Sequence, residues 1–139
     1  MQKSQKITLN PFILESKKAQ KLIDKILSEL DHAGIILNTV VADLKELRTY
    51  ALEQKNPLLV KVLRLTYQHL EENETFLIPI PDDEPIEEEG EEVMATDNGE
   101  HDPKESLAYL VALFKDADNK INVIDLRAYR DALNEFALG

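Results

Sequence analysis

Residues 16–54, SKKAQKLIDKILSELDHAGIILNTVVADLKELRTYALEQ, decide the fold. Apolar side chains recur through them at Ala19, Leu22, Ile23, Ile26, Leu27, Leu30, Ala33, Leu37, Val40, Val41, Leu44, Leu47 and Ala51, almost always three or four residues apart. That spacing is the stripe of an amphipathic helix. Lys17, Lys18, Lys21, Asp24, Lys25, Ser28 and Glu29 fall on the opposite face. Gly34 interrupts the run, and the β-branched residues Ile35, Ile36, Thr39, Val40 and Val41 that follow it lower the local helix propensity. The apolar phase still continues from Leu30 through Ala33 to Leu37. The pattern therefore favours one long helix, kinked if anything, over two helices joined by a turn at 31–34. At about 1.5 Å per residue it would be roughly 58 Å long.

Outward from this stretch, the chain is punctuated by Asn10-Pro11, Asn56-Pro57 and Asp102-Pro103. A capping residue followed by proline suits the first turn of a helix. Residues 1–15 read as a short arm that packs on the bundle. Leu58, Leu59, Val62, Leu63, Thr66, Tyr67 and Leu70 mark a helix to about Asn73. Phe76-Leu77-Ile78-Pro79-Ile80-Pro81 follows, and alternate prolines forbid both helix and ladder pairing there. An extended strap lying across a helix groove is expected. Leu107, Leu110, Val111 and Phe114 give a further helix its buried face. Residues 115–120 are a polar loop, and Leu126, Tyr129, Leu133 and Phe136 give the last helix its face. The fold class is thus all-α: a helical bundle with a long N-terminal helix, an extended acidic connector and a C-terminal helical hairpin. The parts are 1–81, 82–101 and 102–139.

The formal net charge of −11 belongs to the connector. Residues 82–102 hold eleven acids and no Lys or Arg, so the other 16 acids balance the 16 bases. Such a run does not offset the entropy of ordering and suits a solvated tether. It could also engage a basic partner. Clustered Lys/Arg, which nucleic-acid binding by counterion release requires, form no stripe, so no nucleic-acid partner is expected. No stretch approaches the about 18 apolar residues of a membrane span, and the N-terminus lacks a signal-peptide core because Asn10-Pro11 interrupts it. A cytoplasmic protein with no membrane partner is expected. The absence of Cys excludes disulfides and thiolate chemistry.

Two local patterns carry possible chemistry. Residues 114–125, FKDADNKINVID, resemble an EF-hand calcium loop between two helices (106–133). That resemblance implies calcium ligands at Asp116, Asp118, Asn122 and Asp125, with Ile121 at the apolar slot. Phe114 stands where the family has its first Asp, and Asn119 where it has Gly. The metal-free alternative is a helix–loop–helix turn capped by Asn122 or Asp125. Arg64 and His69 resemble the Arg-x4-His motif of HEPN-type ribonucleases, small all-α proteins. The resemblance implies that Arg64 clamps a phosphate and His69 serves as acid/base. Five residues apart on a helix, however, the two point about 140° apart. The Glu29-x-x-His32 spacing of di-iron bundles has no second copy.

No convergent set of catalytic residue types emerges, whereas helix faces and an acidic tether do. The expected function is a non-enzymatic helical interaction or regulatory protein, with no cofactor and no metal. The alternatives are a calcium-responsive module and a HEPN-like ribonuclease. The second helix covers only part of a 39-residue first helix, so a homodimer through the remaining apolar face is expected.

Overall fold

The structure, a computed structural model, describes residues 11–81 and 101–138, with side chains from residue 17 onward. The expectations for residues 1–10 of the N-terminal arm and for the acidic connector 82–100 lie outside the described residues, whereas residues 11–15, expected in that arm, belong to the first helix. Among those described there are five α-helices and no strand: α1 (Pro11–Ala33), α2 (Leu37–Glu53), α3 (Pro57–Asn73), α4 (Pro103–Leu113) and α5 (Lys120–Leu138). All-α is the class, and a helical bundle is the architecture.

The expectation of one long first helix is corrected. The chain breaks at Gly34, which takes φ +79°. There its N–H reaches Leu30 O at 3.0 Å and closes α1 with a left-handed cap. Ile36 is extended (φ −106°, ψ 104°) before α2 begins. Two helices of 23 and 17 residues replace one of 39. The apolar phase ran on through the break because both helices face the same core. Lys25 and Asp43, each nine residues from Gly34, meet with Nζ and Oδ2 2.6 Å apart. That contact shows α2 folding back antiparallel on α1.

The other proline boundaries behave as the sequence suggests. Asn56 accepts a hydrogen bond from Leu59 N at 3.1 Å, and Asp102 accepts from Lys104 N and Glu105 N. Both caps satisfy N–H groups that a first turn leaves unpaired. α3 returns along α2, where Lys45 pairs with Glu71 at 3.1 Å. Glu74, at φ 62°, ends α3 in a left-handed conformation.

The chain from 74 to 81 has no helix or strand. It is a strap with alternating fates: Phe76 and Ile78 are buried, and Leu77 and Ile80 are exposed. Backbone groups of the strap are met by side chains. Leu77 N–H donates to His69 Nε2 at 3.0 Å, Ser106 Oγ donates to Ile78 O at 2.6 Å, and His101 Nε2 lies 2.8 Å from Phe76 O. α4 and α5 form the C-terminal hairpin, with Ser106 against Tyr129 and Tyr109 against Asp125.

One core runs through all of this. It joins Ile23, Ile26, Leu30, Leu44, Val62, Leu63 and Leu70 to Phe76, Leu107, Leu110, Leu126 and Tyr129. The helices that the acidic run separates in sequence therefore share their buried face. The homodimer argument needed an uncovered stripe on a long first helix. Here the turn at Gly34 and the hairpin cover that stripe within one chain. Phe136, expected on the buried face of α5, is 42% exposed.

Among the described residues the four buried polar side chains, Asp43, Thr66, His69 and Ser106, are each hydrogen-bonded. Thr66 Oγ1 donates to Val62 O at 2.7 Å. Asp43 is tied to Lys25, whose pKa is raised chiefly by that hydrogen bond. The pair is asymmetric, with side-chain exposures of 48% for Lys25 and 11% for Asp43. Freed from its partner, Lys25 can turn to water and Glu29, whereas Asp43 is left largely desolvated. After allowing for solvent screening, Lys25→Met is expected to cost about 1–2 kcal/mol and Asp43→Asn less than about 1 kcal/mol. Urea unfolding of the two variants checks the order.

Candidate functional site: a cationic groove between α2 and α3

The residues that the sequence marks for chemistry do not come together. Arg64 and His69 leave α3 on different sides. Arg64 lines an open groove against α2, whereas His69 is buried at 5% exposure. The His69 ring stands edge-on to Phe76 and Phe136, with centroids 5.5 and 4.8 Å away. Its Nε2 accepts the Leu77 N–H, so this imidazole is neutral and serves to hold the strap. Burial lowers its pKa, against a smaller opposing pull from Glu72.

That direction fixes a pH dependence. The unfolded chain takes up the His69 proton near pH 6.5. The folded chain takes it up only at lower pH. Stability is thus fully present above about pH 6.5 and is lost as pH falls through the folded pKa, by at most about 1.4 kcal/mol per pH unit. Urea unfolding between pH 7.5 and pH 5 is expected to show this loss, and His69→Gln is expected to remove it relative to the parent.

The 114–125 segment is a short 3-10 turn, Phe114–Asp116, followed by α5 from Lys120. The cap of α5 is Asn119 rather than Asn122 or Asp125. Asn119 Oδ1 accepts from Ile121 N at 2.9 Å and Asn122 N at 3.3 Å. Asn122 Nδ2 donates to Asp116 O at 3.0 Å, and Asp125 Oδ2 accepts from Tyr109 OH at 2.7 Å. Asp116 and Asp118 border a cleft of about 490 Å³ whose polar lining includes Lys17, Gln20, Lys21 and Lys115 and whose apolar lining includes Ile23 and Leu59. Among the described residues no group of three or more His, Asp or Glu is placed to hold a metal. His32 is exposed, with Nδ1 2.8 Å from Ser28 O of its own helix.

The distinctive electrostatic feature lies elsewhere. Where α2 turns into α3, a groove of about 450 Å³ is lined by Arg48, Leu52, Lys55, Asn56, Pro57, Val60, Lys61 and Arg64. Four of these are cations and none is acidic. Lys25, Lys45, Lys115 and Arg130 each pair with a carboxylate, and Lys17, Lys18, Lys21, Lys104, Lys120 and Arg127, outside this groove, form no ion pair among the described residues; what sets the groove apart is that four such cations share it. The four groove cations pair with none among the described residues. Arg48 Nε is shielded from solvent and has no hydrogen-bond partner among the described residues. The floor is apolar, and Leu52 projects there half-exposed at 51%.

The antiparallel return of α3 builds this groove. It sets Arg48 and Leu52 of α2 beside Val60, Lys61 and Arg64 of α3, with Lys55 in the turn (φ 57°). Sequence reasoning singled out Arg64 alone. A signal for the others exists: none of Arg48, Lys55, Lys61 and Arg64 has an acid three or four residues away, whereas Lys25 has Glu29. Cations without helical counter-charges are available to something outside their own helix.

Comparison with protein-family models, with curated proteins and with solved structures finds no match.

Proposed function

We propose that this chain is a non-enzymatic helical interaction protein whose working surface is the α2–α3 groove. The observation that supports the reading is the gathering of Arg48, Lys55, Lys61 and Arg64, unpaired among the described residues, around exposed Leu52. Four like charges in one groove repel one another, and an isolated fold gains nothing from them. A protein partner that brings carboxylates and an apolar side chain would relieve that repulsion and cover Leu52 together. Arg64 then serves as a docking cation, and His69 as a structural residue beneath the strap.

The test is paired capture from an extract of the cells that make the protein. The parent is compared with the double variant Arg48→Glu/Arg64→Glu, after circular dichroism shows equal helix content. The expected result is a saturable partner retained by the parent and lost by the variant. Identical retained sets would remove the groove from the account.

A further inference from the structure

Resting on that reading, we infer the chemistry of the occupant: an acidic peptide segment with an apolar side chain between its carboxylates, carried by a different protein, rather than a nucleic-acid backbone. Three observations favour it.

The first is the arrangement of charge. Arg48 comes from α2, Lys55 from the turn, and Lys61 and Arg64 from α3 one helical turn apart. They come from two helices and the turn between them, around a floor that includes Leu52, Pro57 and Val60. A phosphate backbone needs a track of cations to release counterions along its length. A short segment needs only a few contacts around one anchor.

The second is the floor itself. Leu52, Pro57 and Val60 form an apolar surface, and among the described residues lining the groove none is aromatic. Single-stranded nucleic acid is held by stacking bases on aromatic side chains, and nothing here offers that. A leucine-sized side chain, in contrast, removes Leu52 and Val60 from water as it docks.

The third is Arg48 itself. Its guanidinium has a solvent-shielded Nε–H with no acceptor among the described residues, and Arg–carboxylate pairing is directional.

The experiment is fluorescence anisotropy on the full chain with three labelled probes of equal charge. They are a peptide of sequence Glu-Glu-Leu-Glu-Glu-Leu-Leu-Glu, the same peptide with Ser for each Leu, and an oligothymidylate. The expected result is that the Leu peptide binds the parent, at least tenfold more weakly after Arg48→Glu/Arg64→Glu, and more weakly as salt is raised. The Ser peptide is expected to bind at least fivefold more weakly than the Leu peptide. No binding of the Leu peptide, binding indifferent to the double variant, or equal binding by the oligothymidylate each overturns the inference. Self-association of the parent that the double variant abolishes would assign the groove to a second copy and also overturn it. If the peptide fails while groove-dependent capture persists, only the partner's chemistry is wrong. If capture is also indifferent to the variant, the docking reading falls with it.

Discussion

Replacing Phe76 by Ala is expected to lower the unfolding free energy by about 3–5 kcal/mol, measured by urea denaturation at neutral pH. Phe76 is fully buried although it lies outside any helix. It packs on His69 at 5.5 Å and Tyr129 at 6.2 Å between ring centroids, and so touches both α3 and α5. Truncation leaves a cavity whose walls belong to different helices, and a bundle does not collapse readily around such a void. A small domain has about 5–15 kcal/mol in total, so the variant is expected to be marginal at best. The loss should be accompanied by faster exchange of the Leu77 amide, because the strap no longer holds that N–H against His69. A change below about 1 kcal/mol would mean that the strap contributes little to the shared core.

The second large effect is expected at Ser106, which is 1% exposed on α4. Its hydroxyl donates to Ile78 O at 2.6 Å, and Tyr129 OH donates to Ser106 O at 3.0 Å with Ser106 Oγ 3.1 Å away. One serine thus joins the strap, α4 and α5. Ser106→Ala leaves the Ile78 carbonyl buried without its donor, which costs about 1–3 kcal/mol. Tyr129→Phe removes a hydroxyl while keeping the ring, and about 1 kcal/mol is expected. Desolvation already holds the Tyr129 hydroxyl well above the ordinary tyrosine range, so it remains a neutral donor throughout the working pH. In a double-mutant cycle the two changes should be less than additive because they share one network. Full additivity would show the two hydroxyls acting independently.

Much of the bundle was legible in the sequence because its signals are local. Asn56-Pro57 and Asp102-Pro103 marked helix starts, Asn73 the end of α3, and Pro79 with Pro81 the strap. Gly34 misled because periodicity reports which residues face a core, not which helix carries them. A turn of three residues kept Leu30 and Leu37 facing the same core. The positive φ of a single glycine, and the extended Ile36 after it, settle what the stripe left open. Asp43 was equally hard to see. It lies in the apolar stripe between Val40 and Leu44, and only the fold reveals Lys25 across from it.

The groove was less legible still. Arg48 and Arg64 are 16 residues apart in sequence and meet only because α3 runs back along α2. Arg64 was noticed for a partner, His69, that turns out to hold the strap. At 114–125 the fold adds contacts that the motif alone does not foretell: Asn119 caps α5 and Asp125 accepts from Tyr109.

Backbone amide chemical-shift mapping during titration with the Glu/Leu peptide tests the docking claim most directly. Shifts concentrated on Arg48, Leu52, Lys55, Val60, Lys61 and Arg64, and absent from the Arg48→Glu/Arg64→Glu variant, are what the account requires. Shifts confined to the 114–118 cleft or to exposed α5, with the α2–α3 turn silent, would contradict it.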